Sequence, residues 1–230
     1  PHYLDNCLYR IRKAESSPEK VEIIVVDFES STSIYREYEK ICRIYNAILH
    51  RIARRGRLFN LALLRNYGAR KSTGDYVVWC DVDTLIPLNT LDRVKEILIK
   101  NSKTFIIGRV FMDKGWRKPD FYKSLTDSKM RELVIAQKLR FAWKGFGGFV
   151  VTDKEWVYES RGFNESYVRW GYEDNDFWFR SVVVKKKPFT YLDHFGDLSE
   201  AEYMDRKNWF IDELHPDDIV MIHQYHDPAY

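Results

Sequence analysis

Cysteine is scarce in this chain: Cys7, Cys42 and Cys80 are odd in number, widely spaced and without a Cys-x-x-Cys pair. Neither a disulfide framework nor a zinc knuckle is suggested, and a reducing compartment fits that usage. Glycine is absent until Gly56, so no glycine-rich, phosphate-cradling loop follows the early strand region. Long apolar runs are missing as well. Nothing approaches the roughly 18 residues of a membrane span, and the N-terminus has no apolar signal-peptide core. An excess of one charge is also lacking, because 37 basic side chains against 34 acidic ones leave a net charge of +3. No overall field argues for a nucleic-acid partner. The local basic clusters, Arg51, Arg54, Arg55 and Arg57 in one and residues 185–187 in the other, read as solvated surface.

What is present is core-forming material. With 45% hydrophobic and 16% aromatic residues over 230 positions, the chain can bury one sizeable core but not two independent ones, which predicts a single domain over 1–230. It starts at Pro1 rather than Met. It therefore reads as an excised, soluble piece of cytoplasmic setting, with any membrane association supplied by parts outside it.

The first half alternates short β-branched runs with helical patterns, which predicts an α/β fold built on a Rossmann-like, mostly parallel sheet. Residues 21–26 form a near-continuous apolar run ending in Asp27, and residues 76–80 repeat the pattern and end in Asp81-Val82-Asp83. Open α/β sheets bind ligands outside the carboxyl ends of their strands, so Asp27, Asp81 and Asp83 are expected on one edge. Residues 60–71 read as a helix. Asn89 is expected to cap a second one with Leu91, Val94, Ile97 and Leu98 on one face, and residues 105–107 to form the next strand. A further helix is expected over about 128–139. The second half opens with a glycine-rich turn at 145–148 into a strand, then a capping box at 152–155 and a helix closed by Gly162. The acidic run 173–176 suits the first turn of a helix reaching about residue 184, and residues 219–222 a short strand delivering His223 and His226.

Asp81 and Asp83 at a strand end can address different groups, one of them a divalent cation that also takes diphosphate oxygens and water. Taken alone, Asp-x-Asp is common turn material. Arg65 lies one helix upstream and offers a planar fork for diphosphate, its plain alternative being a helix-surface charge. Trp170-Gly171-Tyr172 brings aromatic rings suited to sugar faces next to Glu173 and Asp174, either of which can take a hydroxyl proton. The plain alternative is a loop plugging the core. His223 and His226 can include an imidazole ligand for the same cation, and the pair has no Cys or carboxylate close by in sequence for a self-contained zinc site.

Taken together, Asp81-Val82-Asp83 with Ile86-Pro87, Phe146-Gly147-Gly148, Gly162-Phe163-Asn164-Glu165 with Tyr167, and Trp170-Gly171-Tyr172-Glu173-Asp174 with Asp176 resemble the inverting family 2 and family 7 glycosyltransferases of GT-A fold, including chondroitin polymerase-like enzymes and β-1,4-galactosyltransferases. The resemblance spans residues 10–226. It implies that Asp27 reads the nucleobase, usually uracil, that Arg65 helps hold the diphosphate, that Asp81 meets the ribose, that Asp83 binds metal and that Asp174 is the catalytic base. It also implies that residues 9–12 form a first strand whose Arg10 and Arg12 lie near the donor phosphates. After Asp27, the family's second Asp and Gly are replaced by Phe28 and Glu29. His223 is the preferred late metal ligand, with His226 as the alternative.

The expected protein is a metal-dependent inverting glycosyltransferase. It would take a UDP-sugar with Mn²⁺ or Mg²⁺ and pass the sugar to a hydroxyl of a glycan or glycoconjugate. Residues 1–87 would form the nucleotide-sugar half. Residues 88–230 would form the acceptor half, in which Gly147, Gly148 and Trp170 shape the sugar pocket and Glu173 holds the acceptor or orients the helix. Two rivals are a sugar-phosphate nucleotidyltransferase, disfavoured by the missing glycine loop, and a carbohydrate-binding relative without catalysis, disfavoured by the intact Asp83 and Asp174.

Overall fold

The computed structural model describes residues 1–14, 16–17, 20–113, 115, 117–136, 148–169, 171–192 and 219–225. The apolar run that ends at Asp27 forms β1 (Ile24–Asp27), which pairs in parallel with β2 (Ile48–Arg51). The crossover between them is α2 (Thr32–Ile44), started by Ser31, whose hydroxyl accepts the Ile34 N–H at 3.4 Å. Next comes α3 (Leu61–Lys71), begun by Asn60, whose side-chain oxygen accepts the Leu63 N–H at 2.8 Å. Such a cap satisfies one of the amides a helix start leaves open.

A four-stranded sheet follows in the order β3-β7-β5-β8, from β3 (Tyr76–Cys80), β7 (Phe149–Asp153), β5 (Phe105–Ile107) and β8 (Phe189–Tyr191). β7 is buried along its whole length because both of its edges are paired. A second sheet, β4-β9-β6, joins β4 (Thr84–Leu85), β9 (Met221–His223) and β6 (Val110–Met112). The expected mostly parallel sheet is in fact mixed: β7 runs antiparallel to both β3 and β5, and β9 antiparallel to β4. The apolar run 149–151 that opens β7 is buried, and such a run does not by itself fix strand direction.

Around these sheets lie α1 (His2–Lys13), α4 (Thr90–Lys100), α5 (Asp127–Ala136), α6 (Lys154–Glu159) and α7 (Glu173–Trp178), which runs on as one π-helical stretch, Phe179–Val184. Leu91, Val94 and Leu98 of α4 are buried as expected, although the Asn89 side chain makes no cap hydrogen bond. Among the described residues, no helix is long and apolar enough to cross a membrane.

Two sequence expectations are corrected. Residues 9–12 form the end of α1 and not a strand, because Leu4, Cys7, Leu8 and Ile11 recur at helical spacing and pack inward. The guanidinium of Arg10 is buried there and donates to Ile86 O at 2.8 Å, Leu125 O at 2.7 Å and Asp127 Oδ1 at 2.7 Å. Arg12 donates to the carbonyls of Tyr45, Val21 and Asn46. Both arginines tie chain segments together through these bonds. In the second basic cluster, Lys187 is buried and gives its ammonium to Asp153 Oδ2 at 2.6 Å. Burial opposes charge on Asp153, but Lys187 and Lys103 outweigh it and hold the carboxyl below its usual range.

An aromatic cluster joins the sheet to the segment that leads into α7. Trp79 meets Phe163 edge-on at 5.0 Å and Phe177 at 5.6 Å, while Phe163 and Phe177 lie 4.5 Å apart. Gly162, just before Phe163, has φ of +65°, and a Cβ there would fall 2.3 Å from Asn66 Oδ1. That oxygen accepts the Phe163 N–H at 2.8 Å. Gly162→Ala is therefore expected to cost about 1–2 kcal/mol of left-handed strain and about 1–3 kcal/mol more for the displaced buried hydrogen bond. A lower denaturant midpoint at unchanged slope is the expected reading, and an unshifted midpoint would contradict it.

Candidate active site

The DVD segment leaves β3 at Cys80 and is pinned on both sides. The Asp81 N–H donates to Gly148 O at 3.1 Å, and the Thr84 N–H closes a turn onto Asp81 O at 2.9 Å. Gly148 is glycine for a spatial reason, since a Cβ would meet Val110 Cγ2 at 2.9 Å. The antiparallel pairing of β4 with β9 sets Thr84 opposite His223. The Gln224 N–H donates to Asp83 O at 2.7 Å, and the Gln224 side chain in turn accepts from Asn6 Nδ2 at 2.8 Å.

That register brings His223 Nε2 within 3.2 Å of Asp83 Oδ2. Burial works against an imidazolium at His223, but the hydrogen bond and charge of Asp83 outweigh it and raise the His223 pKa. A carboxylate and an imidazole side by side are a donor set that Mn²⁺ accepts. Among the described residues no cluster of three or more His, Cys, Asp and Glu has ligating geometry. A bound divalent ion can also take phosphate oxygens and water, as nucleotide-bound Mg²⁺ commonly does. The pair fits such an ion.

Arg65 projects from α3 and is buried between two carboxylates, with Nη2 at 2.8 Å from Asp81 Oδ1 and Nη1 at 3.0 Å from Glu173 Oε1. Its guanidinium also lies over the Phe163 ring at 5.1 Å, and its carbonyl accepts the Trp79 indole N–H at 3.1 Å. Burial raises the pKa of Asp81 and of Glu173, with Arg65 opposing the rise in each. The same burial would lower Arg65, but the two carboxylates prevail and hold its pKa up. The next residue, Asn66, clamps the segment after α6, donating to Phe163 O at 2.8 Å and to Glu165 Oε1 at 2.9 Å. Arg65 and Asn66 thus connect α3 to the two segments, one around Asp81 and one leading into α7, that carry the expected chemistry.

Asp174 sits half-buried in the first turn of α7, its Oδ1 accepting the Asn175 N–H at 2.8 Å. Along this helix lies a cleft of 390 Å³ lined by Tyr167, Tyr172, Asn175, Asp176, Trp178 and Phe179. Of these, Trp178 and Phe179 carried no signal in the sequence beyond their aromatic character. Asp27, at the end of β1, is buried and accepts the Ser30 N–H at 3.1 Å and the Ser30 hydroxyl, with Arg51 Nε at 3.5 Å. Asp81, Asp83, Arg65, Glu173, Asp174, Gly148 and His223 form one connected neighbourhood through these contacts, and Asp27 stands at the end of the neighbouring parallel pair. Gly147, Trp170 and His226 lie outside the described residues.

The family profile described as Glycosyl transferase family 2 matches residues 1–166. Solved structures of similar fold include TarS 1–349 of S. aureus in complex with UDP-GlcNAc, at 12% identity and a TM-score of 0.63, covering 99% of this chain and 56% of that one. Another is the mannosyltransferase PcManGT from Pyrobaculum calidifontis in complex with GDP-Man and Mn²⁺, at 16% identity and a TM-score of 0.58, covering 99% of this chain and 55% of that one. GalNAc-T7 with UDP, GalNAc and Mn²⁺ matches at 12% identity and a TM-score of 0.60, covering 95% of this chain and 40% of that one. The chain spans about half the length of these proteins. No curated protein sequence matches it.

Proposed function

From the premise that the chain belongs to glycosyl transferase family 2 and has the GT-A fold, we propose that it transfers a sugar from a UDP-sugar to a hydroxyl of a glycan or glycoconjugate, with inversion at the anomeric carbon and with Mn²⁺ or Mg²⁺ bound. The observation that carries this reading is the single neighbourhood in which Arg65 joins Asp81 to Glu173, the residue before Asp174, while Asp83 faces His223. Arg65 thereby links the segment of the donor-side carboxylates in this reading to that of the acceptor-side carboxylate. Support also comes from the fold neighbours, two of which hold a nucleotide and Mn²⁺.

In this reading Asp83 and His223 hold the ion, Asp81 meets the ribose and Asp27 the uracil. Gly148, with Gly147 and Trp170, shapes the sugar pocket. When bound, the ion neutralises charge building up on the departing diphosphate. The aromatic cleft along α7 receives the acceptor's sugar faces, with Asn175 and Asp176 as polar partners. Asp174 takes the hydroxyl proton while the bond to diphosphate breaks on the opposite face of the sugar. Inversion follows from that single displacement. Screening nucleotide sugars for Mn²⁺-dependent hydrolysis and thermal stabilisation tests the whole reading, since a bound donor raises the melting temperature by mass action. No response to any of them would refute it.

Uridine selectivity is the finer expectation. The Asp27 carboxylate accepts the imide N–H of uracil, and the larger purine of GDP would have to present its own N–H to that carboxylate from a different position. UDP is expected to outcompete GDP by at least about tenfold, or about 1.4 kcal/mol. Equal inhibition by the two would take the nucleobase role from Asp27.

A further inference from the structure

α7 runs on into the π-helical stretch Phe179–Val184, and its first turn gains little hold from backbone bonding alone. It also starts poorly: Tyr172 precedes it at φ of 71°, a strained value for a side-chain-bearing residue, and makes no side-chain cap hydrogen bond. Side-chain contacts fix it instead, among them Arg180, which joins Asp176 to the carbonyls of Ser160 and Gly162. One turn in, Phe177 packs against Trp79 and Phe163 and sets the depth of the helix. At its first residue, Glu173 is buried and held by Arg65 Nη1 at 3.0 Å. Phe177 and the Arg180–Asp176 pair hold α7 from its middle onward, and the Glu173 contact holds its first residue, the one next to Asp174. Arg65 is itself immobilised by Asp81 at 2.8 Å, by the Phe163 ring and by the Trp79 bond to its carbonyl.

We propose that Arg65 and Glu173 are positioning residues: their buried ion pair orients the first turn of α7, and so Asp174, against the Asp81 loop, and the Arg65 fork is spent on these two carboxylates instead of on the diphosphate. This rests on the reading of Asp174 as the base. An error of about 1 Å in placing a catalytic group can cost about 10²-fold in rate, whereas donor affinity does not depend on where the base points.

The test uses Glu173→Gln, which keeps shape, leaves the Arg65–Asp81 pair standing and weakens only the pair to α7. Turnover is expected to fall by about 10–10²-fold, while the dissociation constant for UDP with Mn²⁺, measured by calorimetry, stays within about threefold of the original. Glu173→Asp, which restores the charge, should recover part of the turnover. In Arg65→Ala, added guanidinium ion should restore turnover by filling the vacated space, an effect that general loosening of the fold would not show. Should that variant fail to fold, Glu173→Gln carries the test alone. Unchanged turnover in Glu173→Gln would overturn the proposal. So would an Arg65→Lys variant that loses UDP affinity by tenfold or more while Glu173→Gln behaves normally, because Arg65 would then be a diphosphate ligand. Asp174→Asn measured alongside separates the two readings: an active Asp174→Asn defeats the base assignment, whereas an inactive one beside a fully active Glu173→Gln defeats only the positioning role.

Discussion

Replacing Asp174 with Asn is expected to lower sugar transfer by about 10²–10⁴-fold, the usual contribution of a positioned general base, with UDP-sugar binding barely changed. Asp174 stands in the first turn of α7 with Oδ1 held by the Asn175 N–H. That contact engages one carboxylate oxygen, and in the proposed mechanism the other receives the acceptor's proton. Asn keeps the size and the accepting oxygen but puts an NH₂ where the proton must go. A transition-state role predicts that kcat and kcat/KM fall together. Steady-state transfer by the variant decides the role of Asp174, and near-normal turnover would remove it from the mechanism. The anomeric proton of the product in NMR decides the stereochemistry, with an inverted coupling expected from a single displacement and a retained one contradicting it.

The second large effect is expected at the ion. Asp83→Ala should abolish the Mn²⁺-dependent part of donor binding, because the variant loses the carboxylate beside His223 that would hold the ion in the proposed reading. His223→Ala should weaken it by at least about tenfold, roughly 1.4 kcal/mol. Calorimetric titration of UDP with and without Mn²⁺ measures both. Unchanged Mn²⁺-dependent binding in Asp83→Ala would dismiss the site, and an effect confined to His226→Ala would transfer the ligand role to His226.

Much of this neighbourhood is legible in the residues alone, for reasons that differ by element. β3 falls on residues 76–80 as expected because a β-branched run bounded by Gly74-Asp75 and the DVD turn leaves little freedom over its ends. α3 begins after Asn60 because the Asn side chain makes the bond its position suggests. What stays hidden depends on pairs far apart in the chain. Lys187 reads as surface in a run of three lysines, and only folding discloses that Asp153, 34 positions earlier, awaits it. Arg65 reads as a phosphate fork because a guanidinium suits phosphate and carboxylate alike. Its partners are 16 and 108 positions away, and no local pattern announces them. At residues 9–12 the helical spacing of Leu4, Leu8 and Ile11 was the sounder guide than likeness to a family's first strand.

The strand order found in the four-stranded and three-stranded sheets bears on how such a protein can be cut or recombined. β3, from the nucleotide-side stretch, has β7 as its sheet neighbour, and β4 has β9, so each of these hydrogen-bonded ladders is completed only by a segment that arrives more than 60 residues later. A fragment ending near residue 87 would leave both strands as open edges, the condition under which chains pair with one another and aggregate. The stretches on either side of residue 87 therefore do not form exchangeable cassettes. Grafts between relatives have to carry β3 and β7 together, and new preferences are more safely sought in the loops that the shared ladders hold in place.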